Sequence, residues 1–131
     1  MIKRVAVLFS RALRLRCPAC AGGPLIESWF RFRAVCPGCG FRLERDDGYY
    51  TGAAWLNLIV AEAVFALVLV GALYFTLPSP PWSLLLWGSI ALVIVCPLAF
   101  YPFSKTLWIA FDLLFRPVER HEFDRHKKSE V

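Results

Sequence analysis

Two Cys-x-x-Cys pairs set ahead of two long apolar runs predict a membrane protein: a small N-terminal β zinc ribbon, then a two-helix transmembrane hairpin, then a C-terminal interfacial helix. Three observations carry that fold class. Cys17-Pro18-Ala19-Cys20 and Cys36-Pro37-Gly38-Cys39 are separated by fifteen residues, a spacing at which two tight loops face each other across one ion. The chain of 131 residues is 58% hydrophobic and 19% charged, and its mean hydropathy of +0.54 comes from the stretch between Ala53 and Phe115. Nine Lys or Arg precede the first apolar run, six follow the start of the last, and the turn between the first two runs has none.

Residues 1–16 come first. Ile2, Val5, Ala6, Phe9 and Leu13 fall on one side of a helix, and Lys3, Arg4, Arg11 and Arg14 largely on the other. This predicts a basic amphipathic helix lying on a membrane surface. A cleaved secretory signal is the rival reading, but Arg11 interrupts a short apolar run and no small-residue cleavage site follows.

Residues 17–45 form the ribbon. Four thiolates from two turns make a closed tetrahedral cage for Zn²⁺, with Cys17, Cys20, Cys36 and Cys39 as ligands and no open position for catalysis. Pro18 and Pro37 preset φ for each turn, while Gly38 and Gly40 accept conformations that other residues resist. Disulfides or a thioredoxin-like redox pair are the alternatives, though such a motif needs a single pair within a βαβ unit. Trp29 to Arg33 and Phe41 to Glu44 alternate apolar and charged residues, predicting short antiparallel strands with Trp29 or the phenylalanines beside the metal. The head is too small to hold a large core, so the metal is expected to fold it. Arg16, Arg31, Arg33, Arg42 and Arg45 can offset the charge of the cage or face lipid phosphates. A basic, aromatic ribbon also suits nucleic acid, but in a chain tethered to a bilayer basic residues are expected anyway, which makes nucleic acid the weaker partner.

Residues 46–52, Asp-Asp-Gly-Tyr-Tyr-Thr-Gly, are a junction whose acids suit a helix start and whose tyrosines suit the polar-apolar boundary. Residues 53–77 give the first span, roughly 37 Å of helix against a hydrocarbon core of about 30 Å. Residues 78–82, rich in proline, form an external turn. Residues 83–101 give the second span, expected to bend at Cys96-Pro97. Residues 103–115, interrupted by Lys105 and Asp112, are short for a crossing and predict an interfacial helix, with a broken continuation of the second span as the alternative. Residues 116–131 read as a charged tail, in which His121 and His126 are five apart and unsuited to share an ion from one helix face. Cys96 reads as an inert buried thiol.

The distribution of Lys and Arg places both termini and the ribbon on the cytoplasmic side, where the reducing environment also keeps four thiols free for metal. Within the first span Glu62 stands alone as an acid. A carboxylate near mid-bilayer must be neutral, face another helix or meet a polar partner. Asn57 on the same helix and Ser89 on the second are the intramolecular candidates, and a partner protein's polar group or an ion path is the functional one.

The two cysteine loops, followed by Asp47-Gly48-Tyr49-Tyr50-Thr51-Gly52-Ala53 and Asn57, resemble a family of small bacterial membrane proteins known as domain of unknown function 983. The resemblance covers roughly Ala12 to Phe115, with Ala21 standing where that pattern has glycine. It implies a zinc ribbon joined to two helices in the bacterial cytoplasmic membrane, no established activity, and an accessory role in a respiratory membrane, because some relatives sit beside genes for assembling haem-copper oxidases. The expected function is therefore a membrane-anchored accessory, assembly or interaction factor for another membrane complex. Alternatives are a thiol-redox or metal-transfer protein, or a tethered nucleic-acid binder. No nucleophile-base pair or open metal site is readable, so the chain is not expected to be an enzyme.

Overall fold

A computed structural model describes residues 1–119, so His121, His126 and most of the charged tail lie outside the described residues. Three helices and one strand pair follow in the order α1 (Ile2–Leu13), β1 (Ile26–Ser28), β2 (Arg31–Phe32), α2 (Thr51–Thr76) and α3 (Trp82–Phe115). Both α2, with 26 residues, and α3, with 34, are long and apolar enough to cross a membrane, and none of the side chains in the most apolar window of either is buried. They pack antiparallel as a hairpin.

The separate helix expected over residues 103–115 does not exist. α3 runs unbroken through Pro97 and Pro102 to Phe115, which makes it about 51 Å long. A proline inside a helix leaves the carbonyl four residues earlier without its N–H partner, and for Pro102 that carbonyl belongs to Leu98. The Trp29 indole N–H fills the place at 2.8 Å, and the Asn57 side-chain amide donates to the neighbouring Pro97 carbonyl at 3.0 Å. Two donors from elsewhere in the chain thus serve the helix at the proline where the sequence predicted its end.

The last turns of α3 then become the core of the head. Thr106, Ile109, Ala110 and Leu113 are buried at the i, i+3, i+4, i+7 spacing of one helix face. Ile109, Ala110 and Leu113 pack with Leu8 and Ala12 of α1, Leu25, Phe41, Leu43 and Tyr49. The small head therefore completes its core with a borrowed helix, in addition to its cysteine cluster. α1 is correspondingly not a free amphipathic helix. Leu8 and Ala12 press on α3, leaving Ile2, Ala6 and Leu13 exposed.

The strands also differ from expectation. β1 and β2 pair antiparallel with Ile26 opposite Phe32, so Trp29 and Phe30 form the tip of the hairpin instead of lying within a strand beside the metal. The segment after the second cysteine loop contributes a single bridge, Val35 with Arg42.

Head and hairpin meet at Gly52, where a Cβ would overlap the Trp108 ring. Only glycine lets α2 start this close to α3. Just beside it Asp112 of α3, nearly buried, accepts from Arg45 at 2.8 Å and from the Tyr49 hydroxyl at 3.0 Å. Arg45 also donates to the Arg116 carbonyl and stacks over Phe41. The acid that broke the apolar pattern is thus the anchor of the junction.

Candidate metal centre

Each cysteine loop is built the same way. The Ala21 N–H donates to the Cys17 carbonyl at 2.8 Å, and the Gly40 N–H to the Cys36 carbonyl at 3.0 Å. Both Ala21 (φ 58°) and Gly40 (φ 73°) take the left-handed conformation, which turns the chain back immediately after the second cysteine of each pair. Ala21 does so against the steric preference of a residue with a Cβ. A backbone N–H then points at a sulfur in each loop, Gly22 to Cys20 at 3.1 Å and Gly38 to Cys36 at 3.4 Å. The loops touch where Gly22 meets Gly38, and a Cβ on either would press within about 3.0 Å of a neighbouring atom.

This brings all four sequence-predicted cysteines together, with every sulfur within 4.8 Å of the others. Cys17 and Cys39 sulfurs lie 4.0 Å apart, and those of Cys20 and Cys36 3.6 Å. A tetrahedral ion with metal–sulfur bonds of about 2.3 Å needs sulfur atoms about 3.8 Å apart. The cluster fits such an ion with little adjustment, and four thiolates leave it no open coordination position.

The thiols differ in their surroundings. Burial pushes Cys17 well above the usual thiol range, and the neighbouring Cys36 and Cys39 add to it. Burial also raises Cys39, to about 12, with Cys20 and Cys36 contributing. Burial opposes ionisation at Cys36 too, but the N–H groups of Cys39 and Gly38 aimed at its sulfur hold this thiol below the usual range. A metal arriving here must displace protons from the raised thiols, so its affinity falls as pH is lowered.

Among the arginines of the described residues, Arg11 is the one that closes on the first loop, donating to the Pro18 and Ala19 carbonyls at 3.1 and 3.2 Å. Arg31 instead pairs with Glu27 at the surface, and Arg45 is committed to Asp112. The structural roles of Trp29, Arg45, Tyr49 and Asp112 escaped the sequence reading. Asp112, a lone acid in an apolar run downstream of a basic head, was the one legible signal among them.

Asn57 and Glu62 are not brought together. Asn57 faces α3, whereas Glu62 is exposed on the outer side of α2. Among the described residues no hydrogen-bond or ion-pair partner of Glu62 is found, neither Asn57 nor Ser89. Burial first, then the adjacent Asp112 carboxylate, pushes the Tyr49 phenol above its ordinary value, which keeps it a hydrogen-bond donor to that acid.

A family model described as "Protein of unknown function (DUF983)" matches residues 26–112. The match takes in the second cysteine pair, the junction, α2 and nearly all of α3, and begins after Cys17 and Cys20. No curated protein and no solved structure matches the chain.

Proposed function

The chain belongs to the DUF983 family, whose function is unknown, and from that premise we propose that it is a membrane-anchored interaction or assembly factor with a zinc-stapled head. α2 and α3 cross the bacterial cytoplasmic membrane, and the head and both termini lie on its inner face. The uncovered apolar surfaces of both helices support the crossing, and the excess of Lys and Arg at the two ends supports the orientation. Zinc is the ion best suited to four closed thiolates, because it needs no open position and no redox change.

Glu62 carries the assignment of a partner. It stands fourteen residues from the end of α2 at Thr76, about 21 Å along the helix and so well inside a hydrocarbon core of about 30 Å, on a face that its own hairpin leaves uncovered. An acid in hydrocarbon costs a few kcal/mol unless a polar group meets it, and the described residues offer none. A second membrane protein, presenting a donor at that depth, completes the site.

The test is crosslinking in intact membranes from a photoreactive side chain at Ile59, on the same exposed face. A discrete protein adduct that disappears in Glu62→Gln, while insertion and head folding persist, supports the reading. If this chain is recovered alone under every mild detergent tried and Glu62→Gln changes neither adducts nor respiratory growth, the reading falls.

A further inference from the structure

We infer that the β1–β2 turn, Ser28 to Phe30, is a wedge seated in the bilayer, with lipid acyl chains and glycerol groups as the partner of Trp29 and Phe30. This rests on the proposal that α2 and α3 span the membrane. Depth is the deciding quantity, and it can be measured along two helices. Leu98, the carbonyl that receives the Trp29 indole, lies sixteen residues from the start of α3 at Trp82, about 24 Å along it. Asn57, bonded to the adjacent Pro97, lies nineteen residues from the end of α2 at Thr76, about 28 Å along that helix. The hydrocarbon core is about 30 Å thick. Counted from the Pro-rich turn, both helices still lie inside that core where the turn of the β-hairpin meets them, and any tilt of the helices carries it deeper.

The chemistry changes at the same level. Ser28, Trp29 and Phe30 carry no charge, while the flanking Glu27 and Arg31 form an exposed ion pair at 3.9 Å one residue further from the tip on either strand. Lys105 lies seven residues beyond Leu98, about 10 Å toward the head. Its ammonium is held over the rings of Phe32, Tyr50 and Tyr101 at 5.2, 4.4 and 4.8 Å, at the height where lysine reaches headgroup phosphate. Below that collar Trp29 packs edge-on to Phe103 and Phe30 on Tyr101, yet both rings stay open, at 45% and 59% of full exposure. Their open faces continue the uncovered apolar surface of α3, the one surface beside them that lipid covers. A carbonyl within reach of water needs no protein donor. In hydrocarbon it does, which accounts for an indole N–H spent on Leu98.

The experiment uses the full metal-loaded chain in vesicles of phosphatidylethanolamine and phosphatidylglycerol, with p-benzoylphenylalanine replacing Phe30, Trp87 or Arg42 in separate proteins. Irradiation and mass analysis are expected to show a mass increment of one phospholipid at position 30 as at position 87, which is exposed within α3, and none at position 42, in the segment after the second cysteine loop. An adduct at 87 without one at 30 overturns the wedge and leaves the spanning helices standing. A protein–protein adduct from position 30 also overturns it and makes this turn a contact between copies. If neither 30 nor 87 meets lipid, the spanning assignment itself fails. An independent readout, in chains retaining Trp29 or Trp87 as the sole tryptophan, is quenching by acyl-brominated lipid. Trp29 emission quenched from the aqueous phase alone sinks the inference.

Discussion

In the head, Leu25, Phe41 and Leu43 are wholly enclosed beside the four sulfurs, whereas in the hairpin Leu67, Val70, Leu84 and Val95 turn outward and are more than half exposed. The two regions use the same kinds of side chain for opposite ends. The head hides apolar surface from water by folding around a cluster of four cysteines. The hairpin leaves it bare, which is stable only where the surroundings are themselves apolar. α3 belongs to both, bare from Trp82 to about Phe100 and buried at Pro102, Ser104, Thr106, Ile109, Ala110 and Leu113. The change from uncovered to buried side chains therefore falls inside one helix, near its second proline, and on the proposed crossing this is where lipid would give way to the head.

Removing the proposed zinc should break the comparison most severely. A structural zinc contributes an apparent 10–16 kcal/mol, roughly, to small domains that bind it, so a chelator or Cys36→Ser should unfold the segment from Cys17 to Leu43. All four thiols should then react with a maleimide, and limited proteolysis should cut the head. The hairpin away from the head, α2 and α3 up to about Phe100, should stay protected in vesicles. Equal loss of protection in both regions would mean that the head is what holds the helices together.

Asp112→Ala comes next. It takes from the nearly buried Arg45 guanidinium its carboxylate and leaves it the Arg116 carbonyl, a change expected at or below the lower end of the about 3–5 kcal/mol seen where one partner of a buried pair is removed. Chemical denaturation of the head followed by tryptophan emission measures it. Tyr49→Phe, which removes only the hydroxyl donor, should cost about 1 kcal/mol. If the two substitutions cost the same, the ion pair is not the anchor.

Gly52→Ala tests whether the regions need their close contact. The added methyl has no space beside Trp108, and overpacking of this sort costs about 1–3 kcal/mol. Thermal unfolding in detergent should show the loss, and Gly52→Ala combined with Trp108→Leu should recover much of it. No recovery would place the strain elsewhere.

The cysteine spacing foretold the cluster because two thiolate loops admit few arrangements, and the apolar runs foretold α2 and the first part of α3 because their length exceeds what a soluble core needs. The rest was hidden for a physical reason. Pro102 removes the donor to the Leu98 carbonyl, and a sequence read segment by segment cannot supply the replacement from Trp29, sixty-nine residues away, or the added Asn57 bond to the Pro97 carbonyl from forty residues away. Residues 103–115 carried a readable core stripe in Thr106, Ile109, Ala110 and Leu113. Lys105 and Asp112 masked it, because each looked like a break in an apolar run while each has a specific partner set in the folded head. Trp29 misled by its place in an alternating pattern, which hairpin tips share with strands.

The finest test concerns that proline. With Pro102→Ala, residue 102 regains an N–H that can reach the Leu98 carbonyl, and the indole of Trp29 is no longer its only donor. Trp29→Phe alone should cost about 1 kcal/mol, the usual net worth of such a bond with some added cost for the stranded carbonyl. In the Pro102→Ala background the same substitution should cost less than about half of that, a coupling measurable by a double-mutant cycle on thermal stability in detergent. Strict additivity would show that Trp29 and Pro102 act separately, and that α3 passes its second proline by some other means.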